Sequence, residues 1–74
     1  MKKATHLRKI ASNELLTPEG KVLTQHVVLL EEGFVARTLP LDEEQAGTEW
    51  LQGRITLKQE QEGLRAYYQG KLMI

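Results

Sequence analysis

Apolar residues in this chain come in short runs set apart by polar segments that carry glycine. Thr17-Pro18-Glu19-Gly20, Glu31-Glu32-Gly33, Gln61-Glu62-Gly63 and Tyr68-Gln69-Gly70-Lys71 read as turns. Proline presets φ for the corner and glycine accepts the positive φ that tight turns demand. Leu7, Ile10, Leu15 and Leu16 are the apolar points of residues 5–16. Residues 22–30 (VLTQHVVLL) and 34–39 (FVARTL) are rich in β-branched and aliphatic side chains. Such runs, spaced by glycine turns, predict antiparallel hairpins. Val27, Val28, Leu29 and Leu30 are apolar on both faces of their strand. That predicts a central strand covered on both sides or a strand at a dimer interface.

Further along, strict alternation sets in. Ile55 and Leu57 point one way and Arg54, Thr56 and Lys58 the other; Leu64, Ala66 and Tyr68 oppose Arg65 and Tyr67. The two runs, joined through Gln61-Glu62-Gly63, predict a hairpin with one buried face. One short helix is expected over residues 42–52. Asp42 with Gln45 matches a capping box, Leu41 with Ala46 a hydrophobic staple, and Glu43 and Glu44 suit the positive end of the helix dipole. Gly53 would end it, and Trp50 would lie in the core, clasped by Ala46 and Leu51. Gly47 is a defect of ~1 kcal/mol in that helix. The competing pattern is one strand from Thr48 to Lys58 with Glu49, Leu51, Gly53, Ile55 and Leu57 on a single face. Agreement of cap and staple favours the helix. The expected fold is mainly β: a small antiparallel β-sandwich or β-roll of about five short strands with that one helix, residues 1–74 forming a single domain.

Size and charge add constraints. With 74 residues, 41% hydrophobic and 27% charged, the composition is that of an ordered globular chain. A domain this small buries only ~60% of its unfolded surface. There is no cysteine, so disulfides, thiolate metal sites and thiol nucleophiles are excluded. A partner subunit is then the expected source of extra burial. Ten basic residues balance ten acidic ones, but unevenly. Lys2, Lys3, Arg8 and Lys9 open the chain without an acid, whereas residues 31–50 hold six acids against Arg37 alone. The basic start MKKATHLRKI lacks the ~7–15 apolar residues of a secretory leader, so a cytoplasmic address is expected. No run approaches the ~18–20 apolar residues of a membrane helix.

Residues 7–40, LRKIASNELLTPEGKVLTQHVVLLEEGFVARTLP, resemble the N-terminal β-subdomain of the amidohydrolase superfamily. The likeness is carried by Asn13, Thr17, Pro18, Glu19 and Gly20 in the first turn, and by Val28, Leu29, Leu30, Glu31, Gly33 and Val35 in the hairpin. It implies a free-standing β-sandwich or β-roll of that shape. It implies no activity, because that family's metal ligands begin with His-x-His on a barrel of ~250 residues, and this chain has neither.

The candidate chemistry is sparse. His6 and His26 are the only histidines and no third ligand is spaced to join them. Asp42, Glu43, Glu44 and Glu49 lack the spacing of a calcium loop. No serine or threonine sits in a nucleophile elbow, and there is no glycine-rich phosphate loop. No catalytic residue, metal or cofactor is expected. The leading expectation is a non-enzymatic domain that acts by protein–protein association, as a homo-oligomer or with another protein. Its expected interface is Val27, Val28, Leu29, Leu30, Tyr67, Leu72, Met73 and Ile74, because doubly apolar strand positions and an apolar end would otherwise be sticky. The alternative is a small nucleic-acid-binding barrel using Arg54, Lys58, Arg65, Tyr67 and Lys71, where an aromatic lies among cations; the balanced charge argues against it. A third possibility is a companion of a larger metal-dependent hydrolase.

Overall fold

The computed structural model describes residues 6–41 and 47–74. Six strands follow in order: β1 (Leu7–Leu16), β2 (Val22–Glu31), β3 (Phe34–Pro40), β4 (Thr48–Glu60), β5 (Gly63–Tyr68) and β6 (Lys71–Leu72). They form one sheet with spatial order β3-β2-β1-β4-β5-β6. Neighbours pair antiparallel except β1 and β4, which are parallel. The expectation of a mainly β chain holds. The antiparallel sandwich does not, because a central parallel pair makes the sheet mixed and β4 is reached by a crossover past β2 and β1.

The turns form where glycine and proline placed them. The Gly20 N–H donates to the Thr17 carbonyl at 2.9 Å, and the Thr17 N–H donates to the Lys21 carbonyl at 2.8 Å. Glu32 and Gly33 both have positive φ, 55° and 82°, the requirement of the two-residue hairpin turn whose twist matches that of its strands. Gln69 and Gly70 repeat this, at 53° and 79°.

The expected helix is replaced by strand from Thr48 onward; residues 42–46 lie outside the described residues. One local fact works against a helix here. Gly47, inside the expected span, takes φ of 76°, outside the right-handed helical region. The nonlocal fact outweighs the cap: Thr48 to Thr56 pairs with β1 from Lys9 to Leu16, and Leu51, Ile55 and Leu57 join the core. Trp50, expected in the core, points the other way and is 49% exposed.

A bend crosses the middle of the sheet. Gln25 in β2 has φ of 54°, the β1–β4 register shifts between Ser12 and Glu14, and Gly53 carries its positive φ at the same level. The Gly53 N–H donates to Asn13 Oδ1 at 2.7 Å, and the buried Ser12 hydroxyl donates to the Glu14 carbonyl at 2.8 Å. Irregularities of this kind bend and twist a strand. The sheet curls until β3 packs against β5. Phe34 lies against Gly63 there, and the Arg65 guanidinium stacks on the Phe34 ring 4.2 Å from its centroid.

Inside the curl lie Ile10, Leu15, Val28, Leu30, Ile55, Leu57, Ala66 and Met73, with Leu23, Val35, Leu51, Leu64 and Tyr68 packed around them. Fully burying one such aliphatic side chain contributes roughly 1.5–3 kcal/mol. Met73 belongs to this core because its N–H donates to the Ala66 carbonyl at 2.9 Å and so extends the β5–β6 ladder.

Candidate functional site

The second strand is covered from both sides by its own chain. Val28 and Leu30 face the core, Val27 faces the opposite way beside Ala11 and Leu39, and all three are essentially out of solvent. Leu29 is half-buried. Of the expected interface, Val27, Val28, Leu30 and Met73 therefore contribute to intrachain packing. Tyr67 is half-buried, and Leu72 and Ile74 remain exposed at 42% and 64%.

The outer face of the roll follows from register. Leu15 and Ile55 are buried, so Leu16 and Thr56 point outward. Ala66 and Met73 are buried, so Tyr67 and Leu72 point outward too, and Val22 is opposite Leu16. The pairs Val22↔Leu16, Leu16↔Thr56, Thr56↔Tyr67 and Tyr67↔Leu72 line up end to end. The result is a row across five adjacent strands, about 19 Å long at the usual strand spacing. Val22 and Leu72 are exposed at its two ends. Sequence reading picked out Tyr67 and Leu72 but not Val22, Leu16 or Thr56. Their common row depends on pairings that no local pattern specifies.

The cationic residues around Tyr67 already have partners. Arg54 pairs with Glu14, its Nη2 2.9 Å from Oε1. Arg65 stacks on Phe34 and Lys58 sits 4.9 Å from the Tyr67 ring centroid. The Tyr67 hydroxyl donates to Glu60 Oε2 at 2.5 Å, and this bond to a carboxylate raises the phenol pKa above its ordinary value. Lys71 is opposite Tyr68, whose ring packs on the core, and so stands on the other face of the sheet. The structure thus brings Lys58, Arg65 and Tyr67 together, places Arg54 beside them, and separates Lys71.

One end of the roll is tied by Arg8. Its Nε and Nη2 donate to Glu49 Oε2 and Oε1 at 2.9 and 2.8 Å, and its Nη1 donates to the Ile74 carbonyl oxygen at 2.5 Å. The pairing holds the Glu49 carboxyl below its usual range and raises the Arg8 guanidinium. Ile74 reaches across to the Glu32–Gly33 turn, where a Cβ on Gly33 would come within 3.4 Å of its Cγ2. Glu32 closes the same end, with its carboxylate accepting from the His6 N–H at 2.8 Å. His6 and His26 do not meet. His6 precedes the Leu7↔Glu31 pair whereas His26 is opposite Ser12, about 20 Å along the strand. No cluster of three or more metal-ligating side chains exists among the described residues, and no helix there is long and apolar enough to cross a membrane.

No protein-family model, curated protein or solved structure matches the chain. The resemblance of residues 7–40 rests on their turn residues and apolar pattern alone.

Proposed function

We propose that this chain is a non-enzymatic association domain and that a second copy of the chain is its partner. The docking surface is the outer row Val22–Leu16–Thr56–Tyr67–Leu72. One observation carries the reading: the row crosses five strands with no charged residue of its own, Thr56 and the Tyr67 hydroxyl being its polar groups, and Lys58 and Glu60 reach it only at Tyr67. Twofold pairing lays such a strip on its own image, because an isologous contact uses the same patch on both subunits. Two sheet faces then stack ~10 Å apart, as in a sandwich. The charges beside the row do not oppose this. Glu14 neutralises Arg54, and Glu60 lies beside Lys58 and Arg65. Arg8, Glu14, Glu49, Arg54 and Glu60 are engaged in structural contacts, which supports a binding role over a catalytic one.

Light scattering on the eluted chain at micromolar concentration tests this. The expected result is a dimer that the double substitution Val22→Lys, Leu72→Lys converts to a monomer with an unchanged circular-dichroism spectrum. Both side chains lie outside the core, so the fold tolerates the change. A wild-type chain that stays monomeric across the concentration range overturns the reading.

A further inference from the structure

Among the described residues, the free side of β3 carries hydrogen-bonding capacity without a partner. There β3 is the last strand of the sheet on its side and pairs only with β2. The Leu41 N–H donates to the Gln25 carbonyl at 2.8 Å, so the backbone groups of Leu41, and by alternation those of Leu39 and Arg37, face β2. Those of Thr38 and Pro40 face away. Proline has no N–H to leave bare, which shortens the available edge at its C-terminal end. What remains is the Thr38 N–H and carbonyl, flanked by Ala36 and Arg37, both exposed.

This edge borders a cleft. At the Phe34 end the seam between β3 and β5 is closed by Gly63 and Arg65. Beyond Val35 it opens into a space of ≈ 280 Å³ bounded by Val35, Thr38, Leu57, Gln59, Leu64 and Glu19. Val35, Leu57 and Leu64 are the rim of the apolar core. Arg37 and Glu19 have no ion-pair partner among the described residues.

We propose that β3 binds an extended segment of another polypeptide by strand addition. Backbone groups aimed outward from a strand are matched by another backbone. The cleft takes an apolar side chain on the core-facing side of the incoming strand. Arg37 shares the other face with Leu29, so it selects an acidic residue opposite it. The partner is thus an extended peptide with an acidic residue on one face and apolar residues on the other. This site is separate from the outer row of the self-association reading, and each can fail without the other.

The probe is a fluorescein-labelled peptide of alternating valine and threonine with one central glutamate, followed by anisotropy against the full chain. Saturable binding is expected, with the Thr38 amide gaining protection from hydrogen exchange. Arg37→Glu should weaken binding about fivefold, the upper range for an exposed charge pair, and a peptide with lysine in place of the glutamate should restore it. Absence of binding overturns the proposal, as does binding that leaves the Thr38 amide unprotected or is indifferent to the charge at position 37. If Arg37→Glu changes the oligomeric state with no peptide present, the edge pairs with a second copy and the peptide partner is wrong.

Discussion

Single residues carry the backbone costs of this fold. Gln25, Glu32 and Gln69 take positive φ without being glycine, a conformation that costs an ordinary L-residue roughly 1–2 kcal/mol. Glu32 regains part of that cost through its carboxylate contact with the His6 N–H. Gln69 is exposed in a two-residue turn followed by Gly70, where Asn-Gly is the favoured pair. Gln69→Asn should raise the thermal midpoint by the equivalent of about 0.5 kcal/mol, and calorimetry checks it. Tyr67 is held in its neutral form by donation to Glu60. Because the folded phenol ionises above its unfolded value, this stabilisation is complete below the ordinary phenol range and is lost as pH rises through the folded value. In a Tyr68→Phe background, Glu60→Gln should move the alkaline tyrosinate absorbance transition to lower pH. An unmoved transition would show that Glu60 does not hold the proton.

At the scale of elements, the hairpins were legible and the sheet was not. Glycine turns, together with alternation at residues 54–58 and 64–68, place β2–β3 and β4–β5 because turn and pairing are neighbours in the chain. Asp42, Gln45 and the Leu41–Ala46 staple made a locally consistent helix, yet Thr48 to Leu51 belong to β4. A parallel partner some forty residues away decided that segment, and propensity is a weak prior against such pairing. Trp50 was misplaced for the same reason. Closure of the roll depends on a missing side chain: a Cβ on Gly63 would stand 3.0 Å from Phe34 Cδ1, at a φ of 149°. Gly63→Val should cost about 1–3 kcal/mol through strain and a displaced Phe34. Urea unfolding would report the loss, and faster proteolysis near Phe34 would show the β3–β5 seam opening. A wild-type midpoint would mean that the seam does not hold the roll.

For the whole molecule the issue is a small core bound by few ties. The Arg8–Glu49 pair joins β1 to β4 at one end, and Arg8 also holds the Ile74 carbonyl. Glu49 has its folded pKa below the ordinary carboxylate value of 4.5. Its contribution is therefore present above that value and fades as pH falls through the lower folded one. The pair is exposed, so Glu49→Gln should cost only about 0.2–1 kcal/mol near neutrality. The difference from wild type should shrink in acid, as denaturant titrations at several pH values would show. A pH-independent difference would assign the effect to packing instead. The same scale bears on association. The doubly apolar stretch of β2, which looked like surplus for a neighbour, is satisfied within one chain. Leu7, Val22, Trp50, Leu72 and Ile74 are the large apolar side chains that stay exposed among the described residues, and the proposed self-association draws on Val22 and Leu72.

From the sequence alone come the turns, the faces of the regular strands and the absence of thiol chemistry, since each depends on residues close in the chain or on composition. The order of strands, the parallel β1–β4 pair, the bend at Asn13 and Gly53, and the alignment of Val22, Leu16, Thr56, Tyr67 and Leu72 were decided only in three dimensions. Period-two alternation says which side chains share a face of one strand. It is silent about which strand comes next, and a surface built across five strands exists only once that order is chosen.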